Sequence, residues 1–237
     1  MSGELWDFTR RTIATLRWRG NVEFGSHNPF SSRGLQWSTD GEFWHPAPLN
    51  LQSRLEVRRH LEASTQMLSD VVRMVGNGSN EPLHHNLFRE AWQQRHTNPR
   101  SALVIGLGAA ELAVKYYIGV LVPDAEWLAT NLPTPPLNKM LVEYLPKLKA
   151  RCSFDGKVKP PPARILERLK EGVSIRNRVI HGGAPTPSTD KIEEILGAVR
   201  ELLWLLDFYS GFDWALDFLS TETRSELSEK GTTNPGP

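Results

Sequence analysis

A chain of 237 residues can bury a substantial core and slightly exceeds the usual single domain, so one core with an appendage is expected rather than two full domains. Its 28 Lys and Arg nearly cancel its 27 Asp and Glu, and the net charge of +1 excludes an overall field drawing it onto nucleic acid or membrane, so any polyanion site must be local. The single cysteine, Cys152, excludes an intramolecular disulfide and a cysteine zinc cluster, and a free thiol needs a reducing compartment, so the expected location is the cytoplasm.

The N-terminus, Met1-Ser-Gly-Glu-Leu-Trp6, has neither a basic n-region nor an apolar h-region, and no signal peptide is expected. Leu5 to Trp18 has helical composition, broken by Gly, Ser, Asn and Pro between Gly20 and Gly34. Leu35-Gln-Trp37 then faces Glu42-Phe-Trp44 across Ser38-Thr-Asp-Gly41, a short hairpin. Residues 1–50 therefore read as an N-terminal appendage of helix and hairpin.

From Leu51 to Val75, the apolar positions Leu55, Leu61, Met67, Leu68, Val71, Val72 and Val75 predict one long amphipathic helix, ended by Gly76-Asn77-Gly78. A second helix follows from Leu83 to about Gln94. Asn98-Pro99 is a strong helix start, since Asn caps free amides and Pro in the first turn forfeits no hydrogen bond. The helix it opens, to about Leu121, is apolar on nearly all sides and is expected at the centre of the core; Glu111 and Lys115 within it argue against a membrane span.

A connection through Pro133, Pro135 and Pro136 leads to a helix from Leu137 to Leu148, and Ser153 to Pro162 is a polar, Pro-rich loop. Another helix runs from Ala163 to about His181, stopped by Gly182-Gly183. After Pro185-Thr-Pro187, Ser188 caps a final long helix carrying Ile192, Ile195, Leu196, Val199, Leu202, Leu203 and Leu206, with a bend at Ser210-Gly211. The fold class is thus all-α, a helical domain over residues 51–220, with residues 221–237 a disordered polar tail.

Four features invite function and are better explained by structure. His84-His85, with Arg89, Glu90 and His96, lacks HExxH-type spacing, and adjacent histidines on a helix point about 100° apart, so no metal or cofactor is expected. Glu111 and Lys115 are spaced for a structural ion pair. Trp6, Trp18, Trp37 and Trp44 serve packing more readily than base stacking. The basic run from Arg10-Arg11 to Arg17-Trp18-Arg19 suits a solvated helix face better than a phosphate grip.

The chemically suggestive segment is Val173-Ser-Ile-Arg-Asn-Arg-Val-Ile-His-Gly-Gly183. On a helical wheel Leu166, Leu169, Val173 and Ile180 form one stripe, Arg176 and Asn177 lie within or beside it, and Arg176 and His181 straddle it roughly 140° apart. A guanidinium beside an apolar stripe needs a partner anion, either a protein carboxylate or a bound phosphate. His181, before two glycines, can present an imidazole titrating near neutral pH. Arg and His in a last turn can also simply satisfy its free carbonyls and dipole.

Arg176, Asn177 and His181 match the Arg, polar residue, three further positions, His signature of the HEPN superfamily, and the segment resembles that family. The apolar helix bearing Ala109 to Lys115 before it and the apolar helix after it resemble the family too, over about Leu51 to Leu219. The resemblance implies a helical bundle that homodimerises so that two motifs face one cleft. It also implies a metal-independent endoribonuclease with RNA, tRNA or mRNA, as substrate. The 2′-hydroxyl would attack the adjacent phosphate, His181 would transfer a proton, Arg176 would stabilise the phosphorane charge and Asn177 would orient His181 or the phosphate. By family analogy the role is a toxin or antiphage defence effector, with an antitoxin or regulatory protein as a further partner. The alternative is a catalytically silent HEPN module that binds RNA or a protein.

Overall fold

The computed structural model describes residues 2–21, 36–37, 39–40, 42–43, 45–46, 64–125, 127, 131, 135–181, 185 and 187–228. The chain is mostly helical. It divides into two compact units, Met1–Asn80 and Glu81–Pro237.

In the first unit α1 (Ser2–Arg19) and α2 (Thr65–Gly76) pack together. Trp18 and Thr15 are buried, and buried Arg19 donates from Nε to Asp70 Oδ2 at 2.9 Å. Arg19 is therefore tied up inside its own unit, which removes it from the basic run as a phosphate contact. This pairing also groups α2 with α1, so the division falls after Asn80, later than a boundary at residue 50.

A continuous helix from Leu51 to Val75 does not form. At Ser64 the backbone is extended (φ −67°, ψ 155°) and the hydroxyl accepts the Met67 amide at 3.1 Å, so α2 starts there with a side-chain cap. Residues 51–63 lie outside the described residues. On α2 the buried line is Met67, Asp70, Val71, Met74 and Val75, while Leu68 and Val72, expected inward, are exposed.

Two short strands, β1 (Gln36–Trp37) and β2 (His45–Pro46), pair antiparallel with Trp37 opposite His45. The turn is longer than Ser38-Thr-Asp-Gly41. The Asp40 carboxylate accepts the amides of Glu42 and Phe43, both at 2.9 Å, and this side-chain turn keeps residues 42 and 43 out of the strand.

The second unit is built on α3 (Leu83–Gln94), α4 (Pro99–Leu121), α6 (Ala163–His181) and α7 (Thr189–Tyr209). Asn98 caps α4 through the Ser101 amide at 3.3 Å. By length and apolarity α4 would suffice to cross a membrane, but it is the central helix here, packed against α3, α6 and α7 with Ala102, Leu103, Leu107, Ala109 and Ala110 fully buried. Between α4 and α6, α5 (Leu137–Lys139) widens into a π-helical turn (Met140–Tyr144) and closes as a 3₁₀ turn (Leu145–Lys147). Pro146 has no amide to continue the regular ladder, and the Leu145 amide reaches back to the Met140 carbonyl.

α7 ends at Ser210 rather than bending there. Gly211 takes φ +106°, and the Phe212 amide returns to the Asp207 carbonyl at 3.1 Å, a helix stop that needs a glycine. The expected tail also starts too early, because Thr221–Ser228 forms α8. The Ser220 hydroxyl accepts the Thr223 amide, Thr223 and Leu227 are buried one turn apart, and Arg164 of α6 holds Glu226 at 3.0 Å, Glu222 at 3.4 Å and the Thr223 hydroxyl. Polar composition hid two buried positions and a clamp. Residues 229–237 lie outside the described residues.

Gly172 sets how closely α6 lies on its neighbours: a Cβ there would sit 2.7 Å from Ile195 Cγ2 and 3.3 Å from Leu107 Cδ2. Both neighbours are fully buried and cannot swing away. Gly172→Val is expected to lower stability by about 1–3 kcal/mol in a urea titration, because overpacking outweighs the gain in helix propensity.

Candidate functional site

The close approach at Gly172 decides where the motif arginine sits. The wheel expectation places Leu166, Leu169, Val173 and Ile180 inward, but the buried line of α6 is Ile165, Leu169, Gly172 and Val179, and Ile180 is 50% exposed. The helix is turned so that its glycine faces α4 and α7. Steps of four and three from Ile165 lead through Leu169 and Gly172 to Arg176 and then Val179, so Arg176 lies in the stripe itself.

The required anion is a protein carboxylate. Arg176 Nη1 donates to Glu111 Oε1 on α4 at 2.8 Å, and Nε donates to Asn177 Oδ1 at 3.3 Å. The Arg176 side chain is 21% exposed and that of Glu111 34%. Nη2 has no protein partner among the described residues. Glu111 is therefore not the partner of Lys115: among the described residues its ion pair is with Arg176. The spacing rule within one helix lost to a contact between helices, which the sequence does not display.

Asn177 and Arg178 are exposed, and Asn177 turns its carbonyl oxygen to Arg176. His181 is the last residue of α6, but its side chain, with Gly182 and Gly183, lies outside the described residues. Arg176, Asn177 and Glu111 are thus brought together. Of the tryptophans weighed for stacking, Trp18 is buried, and the side chains of Trp6, Trp37 and Trp44 lie outside the described residues.

A second polar cluster is buried where α3 begins and α7 ends. His84, His85 and Asp207 are 1%, 5% and 2% exposed. His85 Nε2 lies 2.7 Å from Asp207 Oδ2, a hydrogen bond, and His84 Nε2 lies 3.9 Å from Oδ1, too far for one. Among the described residues neither ring nitrogen of His84 has a hydrogen-bond partner. Burial alone would raise the Asp207 carboxyl; the His85 charge and the two imidazoles beside it outweigh that and hold it at about 2. Burial lowers His84, keeping its imidazole neutral.

The two rings do not diverge as adjacent helix positions suggest: 4.9 Å apart and tilted by 44°, they lie beside the two oxygens of one carboxylate. Arg89 and Glu90, grouped with them by sequence, do not join: Arg89 pairs with Glu81, and Glu90 is exposed. His96 instead lies 3.4 Å from Glu193. Asp207 was the missing member. Its signal in the sequence is a lone acid inside Leu202-Leu-Trp-Leu-Leu-Asp-Phe-Tyr209, where an unpartnered charge would be prohibitively costly.

No family model matches the chain, and neither a curated protein nor a solved structure matches it.

Proposed function

We propose that this protein is a metal-independent endoribonuclease of HEPN type, cytoplasmic and acting as a homodimer, with Arg176, Asn177 and His181 as its catalytic residues. The observation that carries the reading is the setting of Arg176. Glu111 and Asn177 hold Nη1 and Nε, and among the described residues nothing holds Nη2, which leaves it for a ligand. A guanidinium so oriented meets a phosphate oxygen without reorganising, which is how charge developing on a phosphorane is stabilised. His181 moves the proton between the attacking 2′-hydroxyl and the departing 5′-oxygen, which leaves a 2′,3′-cyclic phosphate and a 5′-hydroxyl. The substrate is tRNA or mRNA, and the biological role is that of a toxin or antiphage defence effector under a regulatory partner.

A second reading, a silent HEPN module that binds RNA or protein, is favoured by Glu111, which neutralises the very charge that a phosphate would meet. One experiment separates the two. Total RNA and a tRNA pool are incubated in excess EDTA with wild type and His181→Ala, with circular dichroism to show that both fold. Cleavage by wild type alone, with cyclic phosphate ends, is expected. No cleavage by folded wild type at any concentration would replace the enzyme with the silent module.

A further inference from the structure

We infer that His84, His85 and Asp207 form a binding site for a divalent transition ion of the Zn²⁺ class, which ties the first turn of α3 to the last turn of α7. The donor set is two imidazoles and one carboxylate, with one ligand atom from each and all of them within 4.8 Å of one another. Such nitrogen and oxygen donors suit Zn²⁺ and its first-row neighbours, and no thiolate is present to favour a soft ion.

The distances fit with little movement. Bonds of about 2.0–2.2 Å in a tetrahedral site hold ligand atoms roughly 3.3 Å apart. The two contacts are to different oxygens of one carboxylate, 2.7 Å from His85 Nε2 to Oδ2 and 3.9 Å from His84 Nε2 to Oδ1, and they lie on either side of that value by similar amounts. A small rotation of the Asp207 carboxylate toward His84 lengthens one and shortens the other. The 2.7 Å contact means that one proton lies between His85 Nε2 and Asp207; the ion takes its place, and an imidazole bound through Nε2 carries its proton on Nδ1 instead.

The second observation is His84 itself. A 1% exposed imidazole with neither nitrogen hydrogen-bonded among the described residues is an expensive way to fill a core position, and one that Leu or Phe would fill without cost. Its Nε2 is the ring atom that lies beside Asp207. An ion there satisfies that nitrogen and also balances the buried carboxylate. The surrounding wall is aromatic, with Trp204 centred 4.6 Å from the His85 ring and Tyr116 5.2 Å from the His84 ring. Tyr116 is 43% exposed, so the site lies just beneath the surface and an ion has a short way in. Tyr116 follows Glu111 by five residues on α4, about 7.5 Å along the axis, and an ion at this end also buttresses the helix that carries Glu111.

The test uses the full chain, stripped with EDTA and dialysed. Zn²⁺ is titrated with thermal unfolding as the readout, and Co²⁺ is titrated with visible absorption as the readout. Wild type is expected to gain thermal stability up to one equivalent of Zn²⁺ and to show the strong visible bands of a low-symmetry Co²⁺ site. His84→Phe removes the unpartnered nitrogens and so should fold without metal, yet bind more than about 100-fold more weakly, since loss of a ligand exceeds the 10–100-fold effect of losing a group behind one. Asp207→Asn checks the carboxylate in the same way. Identical responses of wild type and His84→Phe, or no Co²⁺ bands in wild type, would overturn the assignment.

Discussion

Asp207→Ala is expected to destabilise the metal-free protein by about 3–5 kcal/mol, measured as a lowered urea midpoint in excess chelator. Removing the carboxylate strips His85 of a short hydrogen bond at a 5% exposed position and opens a hole between α3 and α7. Asp207→Asn keeps the volume and one acceptor, and should cost less, about 1–3 kcal/mol. The acid dependence of the same metal-free protein follows in sign. Asp207 sits at about 2 against an ordinary 3.8, so its contribution is complete above about 3.8 and is lost as pH falls toward 2, roughly 2 kcal/mol in all. His84 is also lowered, from 6.5, so the fold favours the neutral ring and loses stability as pH drops below that value. Both act in one direction. The thermal midpoint should fall in two stages on acidification, and His84→Phe should erase the upper one; a midpoint equally steep in that variant would show that another group titrates there.

How much of this was legible depended on whether the cause was local. Asn98-Pro99 carries its own cap and first turn, so the start of α4 was readable, as were the limits of α3. Ser64 carries a cap too, but hydrophobic periodicity from Leu51 to Val75 suggested continuity and outvoted it. The tail helix is not legible in the sequence because Thr223 and Glu226 are held by Arg164, about 60 residues earlier. The same limit governed the sites. The pattern required an anion for Arg176, but only the rotation imposed at Gly172 selects Glu111. His84-His85 was visible as a pair of donors, and the third ligand lay 122 residues from His85 in a stretch that read as core.

Arg176→Ala is expected to lower RNA cleavage about 10²–10³-fold in kcat, the usual cost of removing one preorganised donor to a developing anion, while changing stability by only about 1 kcal/mol. The small stability term follows from the pair's partial exposure, 21% and 34%, where solvent screens the attraction. Arg176→Lys should not restore the rate. A lysine ammonium can hold Glu111 as a point charge, but it has no second and third nitrogen to engage Asn177 and a phosphate together. Glu111→Gln tests the positioning residue: a neutral amide still accepts from Nη1, so the fork stays aimed while its charge is less neutralised. KM for RNA should then fall, since phosphate binding strengthens, while kcat changes less than in Arg176→Ala. A purely structural staple between α4 and α6 predicts the reverse pattern. Both variants would melt earlier and KM would not move, and wild-type kinetics in folded Arg176→Ala would remove Arg176 from the chemistry.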